Sequence, residues 1–158
     1  MTVPATVTSY LDSQGVQYEL IAHEYTSDSM HTARSAHVPG NQLAKCVLLE
    51  DRDGYLMAVI PATHRIDLQA VRRRFDRSLC LATEPELPNI FRDCEPGAIP
   101  PLGGAYGIEA IVDESLIGLD DIYFEAGDHR DVDHVSGNDF VRLMAEIPRG
   151  QFSHPGPG

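Results

Sequence analysis

The chain has almost no lysine. Lys45 is the only one in 158 residues; the other 11 basic residues are arginines, set against 24 acidic ones, for a formal net charge of −12. That balance excludes a broad basic surface gripping nucleic acid through its phosphates, but not contact with one end of a nucleic acid. Tryptophan is absent. Cys46, Cys80 and Cys94 are odd in number and show no CxxC spacing, so neither a disulfide framework nor a zinc site is indicated. No run approaches the roughly 20 apolar residues of a membrane span. The opening residues lack the basic patch and apolar core of a signal peptide, so a cytoplasmic location is expected. At 158 residues, 42% apolar and 23% charged, the chain suits one soluble domain.

Lys45 stands in Leu43-Ala44-Lys45-Cys46-Val47-Leu48-Leu49, which otherwise reads as a buried strand. Alternation puts Lys45 on one face with Leu43, Val47 and Leu49, and Cys46 on the other. An ammonium among aliphatic neighbours is costly to desolvate. Lys45 therefore pairs with an internal carboxylate, waits for a ligand, or snorkels to water along its stem.

Along the chain, Pro4 after Thr2 or Val3 opens a helix bearing Val7, Tyr10 and Leu11, and Gly15 ends it. Residues 18–22 alternate as a strand running into His23. Ser29 is placed to cap a short helix through Ala36, and Pro39-Gly40 marks a turn. Asp51-Arg52-Asp53-Gly54 turns the Lys45 strand into a second strand, 55–60. Asp67 caps a helix with Leu68, Val71 and Phe75 buried; Arg72, Arg73, Arg74 and Arg77 cluster on it, with Arg65 upstream. These arginines read as a solvated helix face or as a phosphate-facing patch.

Residues 79–82 suggest a short strand, and Thr83-Glu84-Pro85-Glu86 a capping box opening a helix to Phe91. Residues 108–112, 122–125 and 132–135 read as strands, and Ser136 starts a last helix through Met144. From Pro148 the Pro/Gly-rich end is expected to be disordered, giving one domain over residues 1–147 and a tail over 148–158. Strands and helices mix without strict alternation. The expectation is an α+β domain with a mixed, mainly antiparallel sheet and peripheral helices.

The Pro-Gly loop is the second candidate feature. Gly97, Ala98, Ile99, Pro100, Pro101, Gly103 and Gly104 form a stiff loop whose backbone N–H groups can cradle an anion or a developing oxyanion. His129, Asp131, Asp133 and His134 resemble metal ligands by composition, but on a strand His134 points away from the other three, and a polar turn after Gly127 is the expected reading. Ser27, Ser29 and His31 lack a nucleophile-elbow context. His23 either lines a pocket or ends its strand at the surface.

Together these blocks are familiar. TARSAHVPGNQLAKCVLLEDRDGYLMAVIPATHRIDLQAVRRRF resembles the first half of the YbaK/prolyl-tRNA-synthetase-associated domain family. LATEPELPNIFRDCEPGAIPPLG resembles its helix and G-x-x-x-P loop, and IEAIVDESLIGLDDIYFEAGDHRDVDHVSGNDFVRLM its closing blocks.

The resemblance implies a mixed β-barrel-like sheet surrounded by helices. It also implies a trans-editing aminoacyl-tRNA deacylase that removes a small amino acid, such as Ala or Cys, from tRNA(Pro), with no metal or cofactor. Lys45 takes the place of the family lysine as the catalytic group. Gly97 and Pro101 match the loop, with Ala98, Ile99, Pro100 and Gly103 in it. His23 and Asp133 fall at pocket positions, and the tRNA ribose hydroxyl assists water. The partners implied are the tRNA 3′ CCA end and a prolyl-tRNA synthetase. A non-catalytic tRNA-end or synthetase-binding module is the alternative, and a metal hydrolase built on His129, Asp131 and His134 a third.

Overall fold

The computed structural model describes residues 3–24, 29–95 and 97–156, without the side chains of Ser29 and Glu84. Expectations for Thr2, Ser27, Pro96, the Ser29 cap, the Glu84 side chain and the last two residues lie outside the described residues.

Helix α1 (Ala5–Ser13) follows Pro4, buries Val7 and Leu11 one turn apart, and ends before Gly15 at φ +68°. Strand β1 (Glu19–Ala22) and helix α2 (Ser29–Ser35) follow. Strands β2 (Leu43–Asp51) and β3 (Gly54–Pro61) form the long hairpin, in register from Ala44–Pro61 to Asp51–Gly54. Its turn is held from outside. Arg77 clamps Asp51 through Nε–Oδ2 and Nη2–Oδ1 bonds, both 2.8 Å, which holds that carboxyl down at about 2.

Strand β4 (His64–Ile66) leads into α3 (Leu68–Phe75), where Asp67 caps the Ala70 N–H at 3.0 Å. After β5 (Cys80–Leu81) comes α4 (Leu87–Ile90), shorter than expected. Its first turn is a 3-10 turn over Glu84–Glu86, and half of the anticipated capping box is present as Thr83 N–H donating to Glu86 Oε2 at 2.9 Å. Strands β6 (Glu109–Asp113), β7 (Asp121–Glu125) and β8 (Asp131–Ser136) precede α5 (Gly137–Leu143), capped by Ser136. Two short strands end the chain, β9 (Arg149–Gly150) and β10 (Ser153–Pro155).

Eight strands make one mixed sheet in the order β1-β8-β7-β2-β3-β6-β9, with β5 also on β2. The β2–β7, β3–β6 and β6–β9 pairs are parallel, and the others antiparallel. The sheet is open, with β1 and β9 at its edges, so the expected barrel-like curvature does not close into a barrel. The expected α+β class with a mixed sheet and flanking helices is what forms.

The end of the chain departs from expectation. Phe152 is 2% exposed within the cluster of Leu49, Val71 and Leu79, and Asp113 Oδ2 accepts from Phe152 N–H at 2.9 Å and from Ser153 Oγ at 2.8 Å. Strand β10 pairs β4, and Asp67 N–H donates to Phe152 O at 2.6 Å. Residues 148–156 are therefore ordered. Pro/Gly-rich composition signals disorder only where nothing apolar anchors the segment, and here one aromatic does.

Side-chain alternation divides the apolar residues between the two faces of the sheet. One face carries the main core, in which Ala44, Leu48, Phe124 and Val135 meet α1, α5 and residues 91–102. The other is covered in two patches. Leu43 lies with Ala33, Ala36 and Ala62 in the α2 patch, while Leu49 and Val47 lie with Val71, Leu68 and Phe75 in the α3 patch.

Candidate functional site

Lys45 lies between those two patches. Leu43, two residues before it, belongs to the α2 patch; Val47, two residues after, to the α3 patch. Alternation keeps all three on one face, so the lysine emerges between the covering elements. It is half-buried, and Nζ donates to Ala62 O at 3.3 Å. Among the described residues it makes no ion pair. Burial lowers its pKa from the ordinary lysine value. A cation held by one neutral carbonyl among the described residues retains unused attraction for an anion.

Strand β2 also has an open stretch of edge. It pairs β7 only at Leu43–Tyr123 and Ala44–Phe124, and β5 only at Leu49–Leu81 and Glu50–Cys80. Between these, the Gly/Pro loop approaches, and Cys46 Sγ lies 3.5 Å from Ile99 O. Ala98, Ile99, Pro100, Pro101 and Gly103 are buried; Gly97 is exposed. Ala98 N–H closes a turn onto Glu95 O at 3.0 Å, with Gly97 at φ +82°, a conformation that favours glycine. Gly103 permits close approach, since a Cβ there would stand 2.6 Å from Ile108 O.

The β7–β8 turn reaches the same loop. Glu95 N–H donates to Gly127 O at 2.8 Å. Immediately before this turn, Glu125 ends β7 on the face of Tyr123, which is also the face of Leu43 and Lys45. Glu125 is buried, and burial pushes its carboxyl up to about 7, against a hydrogen bond from Thr32 of α2. His129, buried and at φ +60°, places Nδ1 3.7 Å from Glu125 Oε2. The polar turn expected around His129 is thus an inward-turned histidine beside a buried acid.

The remaining candidates divide. His23 extends the β1–β8 pairing through its N–H to Arg130 O at 2.8 Å, and its Nδ1 contacts Glu24 O at 2.6 Å. It lines an open concavity with Ala22, Ser35, His37 and Arg130. Asp133 pairs across from Phe124 and Leu20, on the core face rather than with Lys45. It is fully buried, neither oxygen has a hydrogen-bond partner among the described residues, and burial, then Asp131 and Asp128, push it up to about 7.

The metal-ligand trio is not gathered. The His134 ring is held between Glu19 at 2.7 Å and Asp121 at 2.8 Å and stacks on Tyr123, while Asp131 turns to Asp128 and His129 to Glu125. No group of His, Cys, Asp and Glu suited to a metal ion occurs among the described residues. Two of the three thiols are no better placed for nucleophilic attack: burial pushes Cys46 up to about 12 and Cys94 up to about 11.

Sequence reasoning missed Glu125. A Glu closing the apolar run Ile122-Tyr123-Phe124, four residues before a histidine, was the available signal, but only the parallel β2–β7 register puts it on the face of Lys45. Lys45 and Glu125 therefore share one face of the sheet, while the Gly/Pro loop meets Cys46 on the other.

The family model of the aminoacyl-tRNA editing domain matches residues 23–143, so the chain belongs to that family. No curated protein matches the sequence. Among solved structures, a candidate trans-editing enzyme for prolyl-tRNA synthetase shares 17% identity at a TM-score of 0.79, covering 97% of this chain and 99% of its own. A hypothetical protein shares 19% at 0.82, covering 94% and 99%. A candidate signal transduction protein from Marinobacter aquaeolei VT8 shares 21% at 0.77; this chain is covered over 96% but spans only 31% of that protein. At these identities the likeness establishes the fold alone. No helix among the described residues is long and apolar enough to cross a membrane.

Proposed function

We propose that the protein is a trans-editing aminoacyl-tRNA deacylase, hydrolysing the ester of tRNA(Pro) carrying a small amino acid such as Ala or Cys. It acts in the cytoplasm, drawing affinity from the CCA end and from a prolyl-tRNA synthetase partner. The observation that carries this reading is the Lys45 ammonium: half-buried, bonded among the described residues only to Ala62 O, and next in sequence to the residue that meets Ile99. Lys45 supplies a fixed positive charge to the ester carbonyl or the 3′-terminal phosphate. The N–H groups of Gly97 and Ile99 supply donors and the loop a pocket wall, His23 borders the substrate, and Glu125 steadies His129. The tRNA ribose hydroxyl assists the attacking water, as the family resemblance implies. Discrimination by pocket size is worth about 1–3 kcal/mol per methylene, which is why synthetases need such editing.

The test compares wild type with Lys45→Ala on tRNAs mischarged with Ala, Cys, Ser or Thr. Wild-type turnover of at least one, lost in the variant, supports the mechanism; equal activity on all removes it. The second reading, a non-catalytic tRNA-end or synthetase-binding module, is favoured by the inert buried thiols. Binding of tRNA without turnover by the wild type selects it.

A further inference from the structure

Residues 65–77 carry five arginines against two aspartates, +3 in a chain of net −12, so the remainder carries −15. Two of the five are committed to the fold: Arg77 to Asp51 and Glu109, and Arg72 through Nε to Leu79 O at 2.7 Å. The other three are not. Arg65, Arg73 and Arg74 are exposed and make no ion pair among the described residues; Arg74 lies over the Phe75 ring at 5.7 Å. Arginines in the last turn of a helix complement its dipole, which accounts for Arg73 and Arg74 in part, but not for Arg65, which stands in β4. The nearby acids are occupied or terminal. Asp67 caps α3 and faces His154 at 3.9 Å, and Asp76 ends the helix in a left-handed conformation.

Position gives these arginines meaning. Helix α3 covers the face of the sheet that bears Lys45, and its patch begins at Val47, about 7 Å along β2. Arg65 follows Ala62, the carbonyl partner of Lys45, by three residues, so their Cα atoms lie within about 10 Å. The three exposed guanidiniums thus stand on β4 and α3, and α3 covers part of the sheet face that bears the lone ammonium of an otherwise acidic molecule.

We infer that Arg65, Arg73 and Arg74 form a phosphate track for the acceptor strand of tRNA, leading its 3′ end to Lys45. This rests on the editing reading for the identity of the RNA, while its test does not depend on turnover. An acidic protein repels RNA over most of its surface, so one local basic strip sets the direction of approach as well as affinity.

The experiment measures binding of an uncharged tRNA(Pro) acceptor-stem hairpin with a CCA end, across a series of salt concentrations, by wild type and by R65Q/R73Q/R74Q. The expected result is weaker binding and a salt slope shallower by about 1 for each contact removed. R65K/R73K/R74K keeps the wild-type slope, and R92Q, an exposed arginine outside the track, leaves it unchanged. A triple Gln variant with wild-type affinity and slope overturns the inference. So does an equal loss in R92Q, which reduces the effect to net charge, or a loss of synthetase binding with RNA binding intact. Failure of the deacylation reading appears separately, as tight, arginine-dependent hairpin binding without hydrolysis of any mischarged tRNA.

Discussion

Lys45 reaches Ala62 rather than a carboxylate: its ammonium donates to that carbonyl at 3.3 Å, across the end of the β2–β3 hairpin. Glu125 shares its sheet face, yet no ion pair joins them. A lysine kept apart from an available acid is held for something else, and the cost of holding it is measurable.

That cost sets the first prediction. Lys45→Met keeps the stem and removes the charge, so it lowers deacylation by about 10²–10³-fold while leaving the protein at least as stable. The sign follows from burial, which lowers the folded-state pKa below the unfolded value. Folding then disfavours the proton, and the penalty is full below the folded pKa and relieved as pH rises through it. A higher Tm with lost activity at neutral pH is the expected pair of results; a Tm well below wild type contradicts it.

Asp133 gives a pH-dependence of the opposite chemical type. Burial first, then Asp131 and Asp128, raise its carboxyl to about 7 from an unfolded value near 3.8. Between those values the folded chain binds the extra proton, so stability falls as pH rises from about 4 towards 7, by on the order of 4 kcal/mol in all. Asp133→Asn, neutral throughout, flattens this decline. Thermal melts from pH 4 to 8 check it, and parallel curves for the two proteins refute the assignment.

Phe152 tests the end of the chain. Truncating an aromatic that is 2% exposed costs about 3–5 kcal/mol, whereas the same change in a disordered tail costs nothing. Phe152→Ala should therefore shift the urea midpoint sharply down.

Much of the fold was legible because local rules agreed with the global answer. The α1 pattern of Val7 and Leu11, the Asp67 and Ser136 caps and the Asp51–Gly54 turn all stand where their residue types require. Phe152 was not legible, because its burial depends on Asp113 and Val71, 39 and 81 positions away in sequence. The site divides in the same way. Lys45 and the glycine loop announce themselves through composition, but Glu125 joins them only through a parallel pairing of two residue pairs, which leaves no periodic trace. Asp133 shows the limit of a motif match: the resemblance puts it at a pocket position, but register puts it on the opposite face from Lys45.

The last prediction concerns Gly97. Its φ of +82° closes the turn in which Ala98 N–H reaches Glu95 O, and it sits at the exposed end of the loop, while Ala98 to Pro101 are buried. A Cβ there costs about 1–2 kcal/mol in the left-handed region, which the loop relieves by shifting its peptide planes. Gly97→Ala should thus melt only slightly below wild type yet lose deacylation with kcat falling more than KM rises, because displaced N–H donors act on the transition state rather than on bound tRNA. A variant with the full stability loss and wild-type kcat would show that the loop is a wall and not a donor.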